Sequence, residues 1–260
     1  MAMTPDAKDM PPPYEEVSDG PSEYVLEPEV FLFAGEFIAC EATASTPLYQ
    51  MSWDVTTIPQ KGTSVVFERV DHHPHEKAES TAPIKHHNQH LFYLAHPAGA
   101  QYRTGRPAYY ITSVSPGALG NISLETSKSK FQKTEFKALL SAEKSASDSP
   151  LFDEKPEPLF EAKPKWMGGR YTWTDSAGKQ VAYEDKKRDR HGLVVTAPMR
   201  RKMRDALIAT WCLRLWHDTA ESREAKRDAM ERLTPPDCMD GYGDMKLAKR
   251  VGALAALGGA

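Results

Sequence analysis

The chain has 260 residues, of which 40% are hydrophobic and 27% charged, and carries a formal net charge of -3. That is the composition of an ordinary soluble globular protein, and it excludes a global electrostatic pull toward nucleic acid. Pro-rich and Ser-rich stretches withdraw part of the length from any core, so one large domain with tails is the expected organisation.

Residues 1–22 contain Pro5, the run Pro11-Pro12-Pro13-Tyr14, Gly20 and Pro21, with few apolar side chains to bury. They read as a disordered tail without the basic and apolar regions of a secretory signal. Three cysteines, Cys40, Cys212 and Cys238, form an odd set without metal-type spacing, which favours a reducing compartment and cytoplasmic residence. The most apolar segment, around Trp211, has Arg214 inside it and falls short of the roughly 20 apolar residues that span a bilayer.

From Tyr24 the pattern changes to short β-branched or aromatic runs separated by Gly, Pro or Ser/Thr clusters. Tyr24-Val-Leu, Val30-Phe-Leu-Phe, Phe37-Ile-Ala-Cys-Glu, Leu48-Tyr-Gln-Met-Ser-Trp53 and Val65-Val-Phe-Glu-Arg-Val70 predict successive antiparallel strands. Further strands are expected at Leu91–Ala95, Tyr109–Val114, Asn121–Glu125 and Phe136–Ala142, with polar loops at residues 72–90 and 143–158. The clearest hairpin is 170–184, where Asp175 to Gly178 supply the turn and the flanks alternate apolar with polar.

Leu193-Val-Val-Thr-Ala197 then leads through Pro198 and a basic turn into a helix over 203–219. At helical spacing Thr210, Arg214, His217 and Asp218 share a narrow stripe, and Leu207, Ile208, Trp211, Cys212, Leu213, Leu215 and Trp216 cover most of the rest. A helix apolar on nearly every side must be enclosed, and a sheet curled around it is the simplest enclosure. Arg214 then needs a buried partner, in Asp218, Thr210 or a carboxylate of the barrel wall. Residues 220–260 read as a helical or irregular extension, charged and Ala-rich to Leu233, with a small amphipathic helix from Met245 to Leu257.

Four features point to chemistry. Pro11, Pro12, Pro13 and Tyr14 fit the Pro-Pro-x-Tyr ligand of WW domains, whose groove accepts a polyproline II turn plus the tyrosine. The implied partner is a HECT-type ubiquitin ligase. Lys186, Lys187, Arg188 and Arg190, with Arg200, Arg201, Lys202 and Arg204, bracket the strand before the helix and could cradle the phosphate of an anionic membrane lipid at a helix N-terminus. Seven of the nine histidines fall between His72 and His96, but their spacing matches no ligand pattern and no metal site is expected. The tryptophans at 53, 166, 173, 211 and 216 read as packing rather than as a ligand cavity.

No nucleophile elbow, Walker loop, H-E-x-x-H or C-x-x-C motif is present, no cofactor is implied, and Glu184-Asp185 reads as surface charge. An apolar helix also raises the thiol pKa of Cys212 and argues against its being a nucleophile.

The sequence Tyr171-Thr-Trp-Thr-Asp-Ser-Ala-Gly-Lys-Gln-Val-Ala-Tyr183, then Leu193-Val-Val-Thr-Ala197, a short turn and the apolar helix from Asp205 resembles the C-terminal end of the tubby-like superfamily. That group includes the LURP-one-related proteins and the phospholipid scramblases. Residues 24–70 are similar to its opening hairpins, and the resemblance covers 24–219; the inserts at 72–90 and 143–158 depart from compact members. The resemblance implies a closed antiparallel barrel of about a dozen strands with the last hydrophobic helix threaded through it. It further implies a non-enzymatic protein that meets membrane phosphoinositides or acts as an adaptor. The expected function is therefore an adaptor whose tail recruits a WW-domain ligase and whose barrel binds a lipid or a protein. The alternatives are a barrel that binds or moves an apolar ligand, and an unrecognised enzyme.

Overall fold

Alternation of apolar and polar residues, punctuated by turn formers, builds fourteen strands and one long helix among the described residues. The computed structural model describes residues 24–43, 46–58, 60–71, 87–97, 107–128, 133–165, 170–187, 190–222 and 225–227. The strands are β1 (Val25–Leu26), β2 (Val30–Ala34), β3 (Phe37–Cys40), β4 (Pro47–Met51), β5 (Ser64–Asp71), β6 (His87–Ala95) and β7 (Tyr109–Ser113). They continue as β8 (Asn121–Lys128), β9 (Thr134–Ser141), β10 (Glu157–Pro164), β11 (Tyr171–Asp175), β12 (Gln180–Lys187), β13 (Arg190–Val195) and β14 (Met199–Arg200), followed by α1 (Arg201–Ala220).

Strands β2 to β13 form a closed twelve-stranded antiparallel barrel in which each pairs with its neighbour in sequence and β13 closes on β2. Closure leaves no free edge, which removes the usual hazard of edge-to-edge association. The two short strands β1 and β14 form a separate ribbon across one mouth, with Val25 opposite Arg200 and Leu26 opposite Met199. In the β11–β12 hairpin, Gly178 takes φ 78°, a left-handed conformation that L side chains adopt at a cost.

Helix α1 runs through the lumen. Its residues from Arg204 to Trp216 are buried without interruption, and they meet the wall on all sides. Trp211 packs edge-on against Phe33 of β2 at 6.1 Å, and Trp216 against Trp53 at 5.1 Å. His217 lies 5.0 Å from the Tyr109 ring of β7 and 4.9 Å from the Phe136 ring of β9. Inward side chains such as Phe31, Ile38, Phe67, Leu94, Ile111 and Trp173 complete one continuous core around it. A wall of β-branched and aromatic residues on a half-buried pleat thus meets a helix that is apolar all round.

Several boundaries differ from the sequence reading. Strand β10 lies where a loop to residue 158 and no further strand were expected, because Glu157-Pro-Leu-Phe-Glu-Ala-Lys-Pro164 carries two prolines and three charges. Pro158 is accommodated at a bulge, and only Phe160 and Ala162 continue the buried alternation. Strand β6 begins at His87 inside the expected polar loop 72–90, since its outer residues are held by neighbours: Asn88 donates to Gln50 and Glu68 at 3.0 and 2.9 Å. Helix α1 starts at Arg201 rather than at residue 203. The expectations for residues 1–22, His72 to His86, Trp166, and the extension beyond residue 227 lie outside the described residues.

Candidate functional site

Among the described residues the buried charged side chains, Arg204, Asp205, Arg214 and Glu184, gather toward the two ends of α1. At the N-terminal end Asp205, almost fully buried, accepts hydrogen bonds from the Tyr49 hydroxyl at 2.7 Å and from Arg69 at 2.8 Å. Arg69 also pairs with Asp71 at 3.3 Å and donates to Gln89. Next to it Arg204, also buried, pairs with Glu29 at 3.1 Å, donates to the Glu27 carbonyl and sits 5.7 Å over the Phe31 ring. Burial raises the Asp205 carboxyl above its usual range against the pull of Arg69 and Tyr49, and the same burial lowers the Arg204 guanidinium. A cavity of 340 Å³ opens beside these groups, lined by Leu26, Leu48, Tyr49, Arg69, Arg201 and Arg204 among others.

At the other end Arg214, 3% exposed, is held between two carboxylates at 2.6 Å each, Glu184 of β12 and Asp218 one turn further along α1. Its guanidinium lies 4.4 Å over the Tyr171 ring, and Trp173 donates its indole N–H to Glu184 at 3.1 Å. Arg214 thus takes two of the partners expected for it, Asp218 and a wall carboxylate, whereas Thr210 bonds the Ala206 carbonyl at 2.7 Å. Burial pushes the Glu184 carboxyl up to about 7, outweighing Arg214 and Trp173. Asp218, which burial would raise, is held below its usual range by His217 and Arg214.

The reading of Glu184-Asp185 as surface charge is corrected for Glu184. Strand alternation turns Ala182 and Glu184 inward, and Glu184 is 8% exposed, whereas Asp185 pairs with the half-exposed Arg170 at 3.1 Å. Carrying the alternation of the hairpin two residues past Ala182 places a carboxylate on the inner face. Tyr49 and Arg69 gave no comparable signal, because each belongs to an ordinary strand pattern and meets Asp205 only through closure of the barrel.

The basic residues singled out in sequence are not gathered into one site. Lys186, Lys187 and Arg190 lie at the β12–β13 hairpin, with Lys187 opposite Arg190, and Arg188 falls outside the described residues. Arg200, Arg201, Lys202 and Arg204 lie past the far end of β13, a strand length of roughly 17 Å away. Arg190 and Arg200 are exposed, Arg201 and Lys202 half-buried, and Arg204 is engaged by Glu29 and Glu27.

Burial at the centre of α1 raises the Cys212 thiol far above its ordinary range, so no thiolate is available there. His90 packs edge-on against Tyr93 at 4.5 Å and His96 stacks on Tyr109 at 4.0 Å. Among the described residues no three His, Cys, Asp or Glu side chains are grouped to hold a metal ion, and no helix is long and apolar enough to cross a membrane. Comparisons with protein-family models, curated proteins and solved structures give no match.

Two outcomes follow from the Arg214 cluster. Arg214→Leu strands a buried carboxylate and is expected to cost about 3 kcal/mol or more in urea denaturation, while Glu184→Leu/Arg214→Leu costs less than Arg214→Leu alone. Equal stability of Arg214→Leu and wild type would show that the cluster does not hold the helix. The raised Glu184 pKa means that its contribution is fully present below its unfolded value near 4.5 and is lost as pH rises through about 7. Thermal melts of the wild type should therefore fall between pH 5 and pH 8 by about 2 kcal/mol more than those of Glu184→Gln; parallel profiles would contradict the assignment.

Proposed function

We propose that this chain is a non-enzymatic adaptor of the tubby-like kind. Its tail residues Pro11, Pro12, Pro13 and Tyr14 recruit a WW-domain protein, in particular a HECT-type ubiquitin ligase, while the folded body holds a second partner in the cytoplasm or at an anionic membrane surface. The observation that carries the reading is the closed twelve-stranded barrel around a buried apolar helix, the architecture that the resemblance of residues 171–219 implies.

The lumen is occupied by α1, and its buried charges are neutralised by one another, so recognition falls to the outer surface and the mouths. A barrel that carried an apolar ligand in its lumen would need the space that the helix fills. The chain leaves the tail through β1, which is fastened beside the first turn of α1 by the hydrogen bond from the Arg201 N–H to the Tyr24 carbonyl at 3.1 Å. A ligase bound at Tyr14 would thus be tethered within about ten residues of the barrel mouth, close enough to raise its local concentration at whatever the body holds. The exposed Arg190 at the β12–β13 hairpin and Arg200 at the helix start are the cations for an anionic lipid surface in this reading.

Titration of the full chain against isolated WW domains tests the recruitment arm. Binding that Tyr14→Ala weakens by at least about tenfold is the expected result. Binding unaffected by Tyr14→Ala, or none to any domain, would remove the ligase from the function.

A further inference from the structure

The outer face of β7 to β9 is overlaid by the segment 142–156, which returns across it before β10 begins. Asn121, fully buried, fastens the segment: its amide donates to the Ser145 and Leu151 carbonyls at 2.8 Å each, and its carbonyl accepts the Ser113 N–H at 2.8 Å. The Ala146 N–H donates to the Ser113 carbonyl at 2.8 Å, the Asp153 N–H to the Ser141 hydroxyl at 3.0 Å, and Phe152 packs edge-on against Tyr110 at 5.6 Å. The backbones approach so closely that a Cβ on Gly120 would lie 2.1 Å from the Ser141 carbonyl oxygen. Every residue of β7 is consequently buried. The segment is a fixed wall.

Between this wall and β8 runs an open groove of 1120 Å³. Leu139, Leu151 and Phe152 contribute apolar surface to it, and Glu125, Asp148, Asp153 and Glu154 supply its charges, with no Lys or Arg in the lining. Among the described residues none of these four carboxylates has a salt bridge, but Asp148 accepts hydrogen bonds from the Ser145 N–H at 2.6 Å and hydroxyl at 2.7 Å, and Glu125 stands opposite Lys137 of β9. They are also spread along the groove: no three acidic or histidine side chains among the described residues converge to hold a single metal ion. A row of separated negative charges beside apolar surface complements a chain that carries several positive side chains, and it repels nucleic acid and anionic lipid.

We propose that this groove docks an extended basic peptide segment of a protein partner, with Lys or Arg side chains on Glu125, Asp153 and Glu154 and an intervening apolar side chain against Leu139, Leu151 and Phe152. The inference rests on reading the barrel as a binding scaffold, and it gives that scaffold a partner of defined chemistry. The groove lies on a different part of the surface from the Arg190 and Arg200 cations, so one body can present an anionic face to a protein and cationic points to a membrane.

The test is selection of a randomised peptide library on the purified full chain, followed by titration of the selected peptides against variants. Selected peptides should carry two or more Lys or Arg around an apolar residue, and their affinity should fall with salt. Asp153→Lys/Glu154→Lys, which alters two exposed side chains, should weaken them at least about tenfold without changing the melting temperature. Tyr14→Ala should leave them unaffected, so loss of WW binding and loss of peptide binding are read separately. The proposal is overturned if no peptide is selected, if the selected peptides lack basic residues, or if the charge reversal leaves their affinity unchanged. It is also overturned if Lys246→Glu/Lys249→Glu/Arg250→Glu tightens peptide binding, since the groove would then belong to this chain's own basic C-terminal segment.

Discussion

The constraint on which the rest of this structure depends is the enclosure of α1. A helix that presents Leu, Ile and Trp on nearly every side has no face to give to water, and the wall must therefore surround it. Eight strands close a barrel whose interior side chains alone fill, whereas a helix about 10 Å across requires a wider one. The twelve strands supply that width, and the meander from β2 to β13 lets each strand pair with the one just made, so among the strand pairs of the barrel wall only the closure of β13 on β2 joins distant parts of the chain.

A uniformly apolar helix in an apolar tube is poorly fixed in rotation and in depth, since sliding it exchanges one greasy contact for another. The buried charges at its two ends answer this. Asp205 meets Tyr49 and Arg69 at one mouth, and Arg214 meets Glu184 near the other; the two lie nine residues apart, about 13 Å along the axis. Displacing the helix by one turn would break both sets and leave charges unpaired in the core, a cost of several kcal/mol that apolar packing alone would not impose. The ion pairs thus select one register more than they add stability. A polar interior spent on register also explains why recognition is assigned to the outer surface.

The sequence made the helix and its enclosure legible because periodicity reports burial directly: the stripe of Thr210, Arg214, His217 and Asp218 was too narrow to face solvent. It also showed that Arg214 needed a partner, though not which strand supplied it. Glu184 was hidden by the basic residues that follow it, although the alternation of its strand pointed it inward. Strand β10 was hidden by prolines, whose positions at a bulge and at a strand end are tolerable only once neighbours are known. The joining of Asp205 to Arg69 spans 136 residues, and local patterning holds no trace of such a contact. The groove beside β8 depends likewise on Asn121, whose role comes entirely from the segment that folds back over it.

Native-state hydrogen exchange along α1 probes the enclosure most directly. Amides from Ala206 to Trp216 should exchange only with global unfolding, at the same free energy as the most protected amides of β5 and β6, because the helix cannot reach water while the barrel is closed. Exchange of those helix amides well before the strands open would mean that α1 leaves the lumen of an intact barrel, and it would contradict the dependence of the fold on the helix that it surrounds.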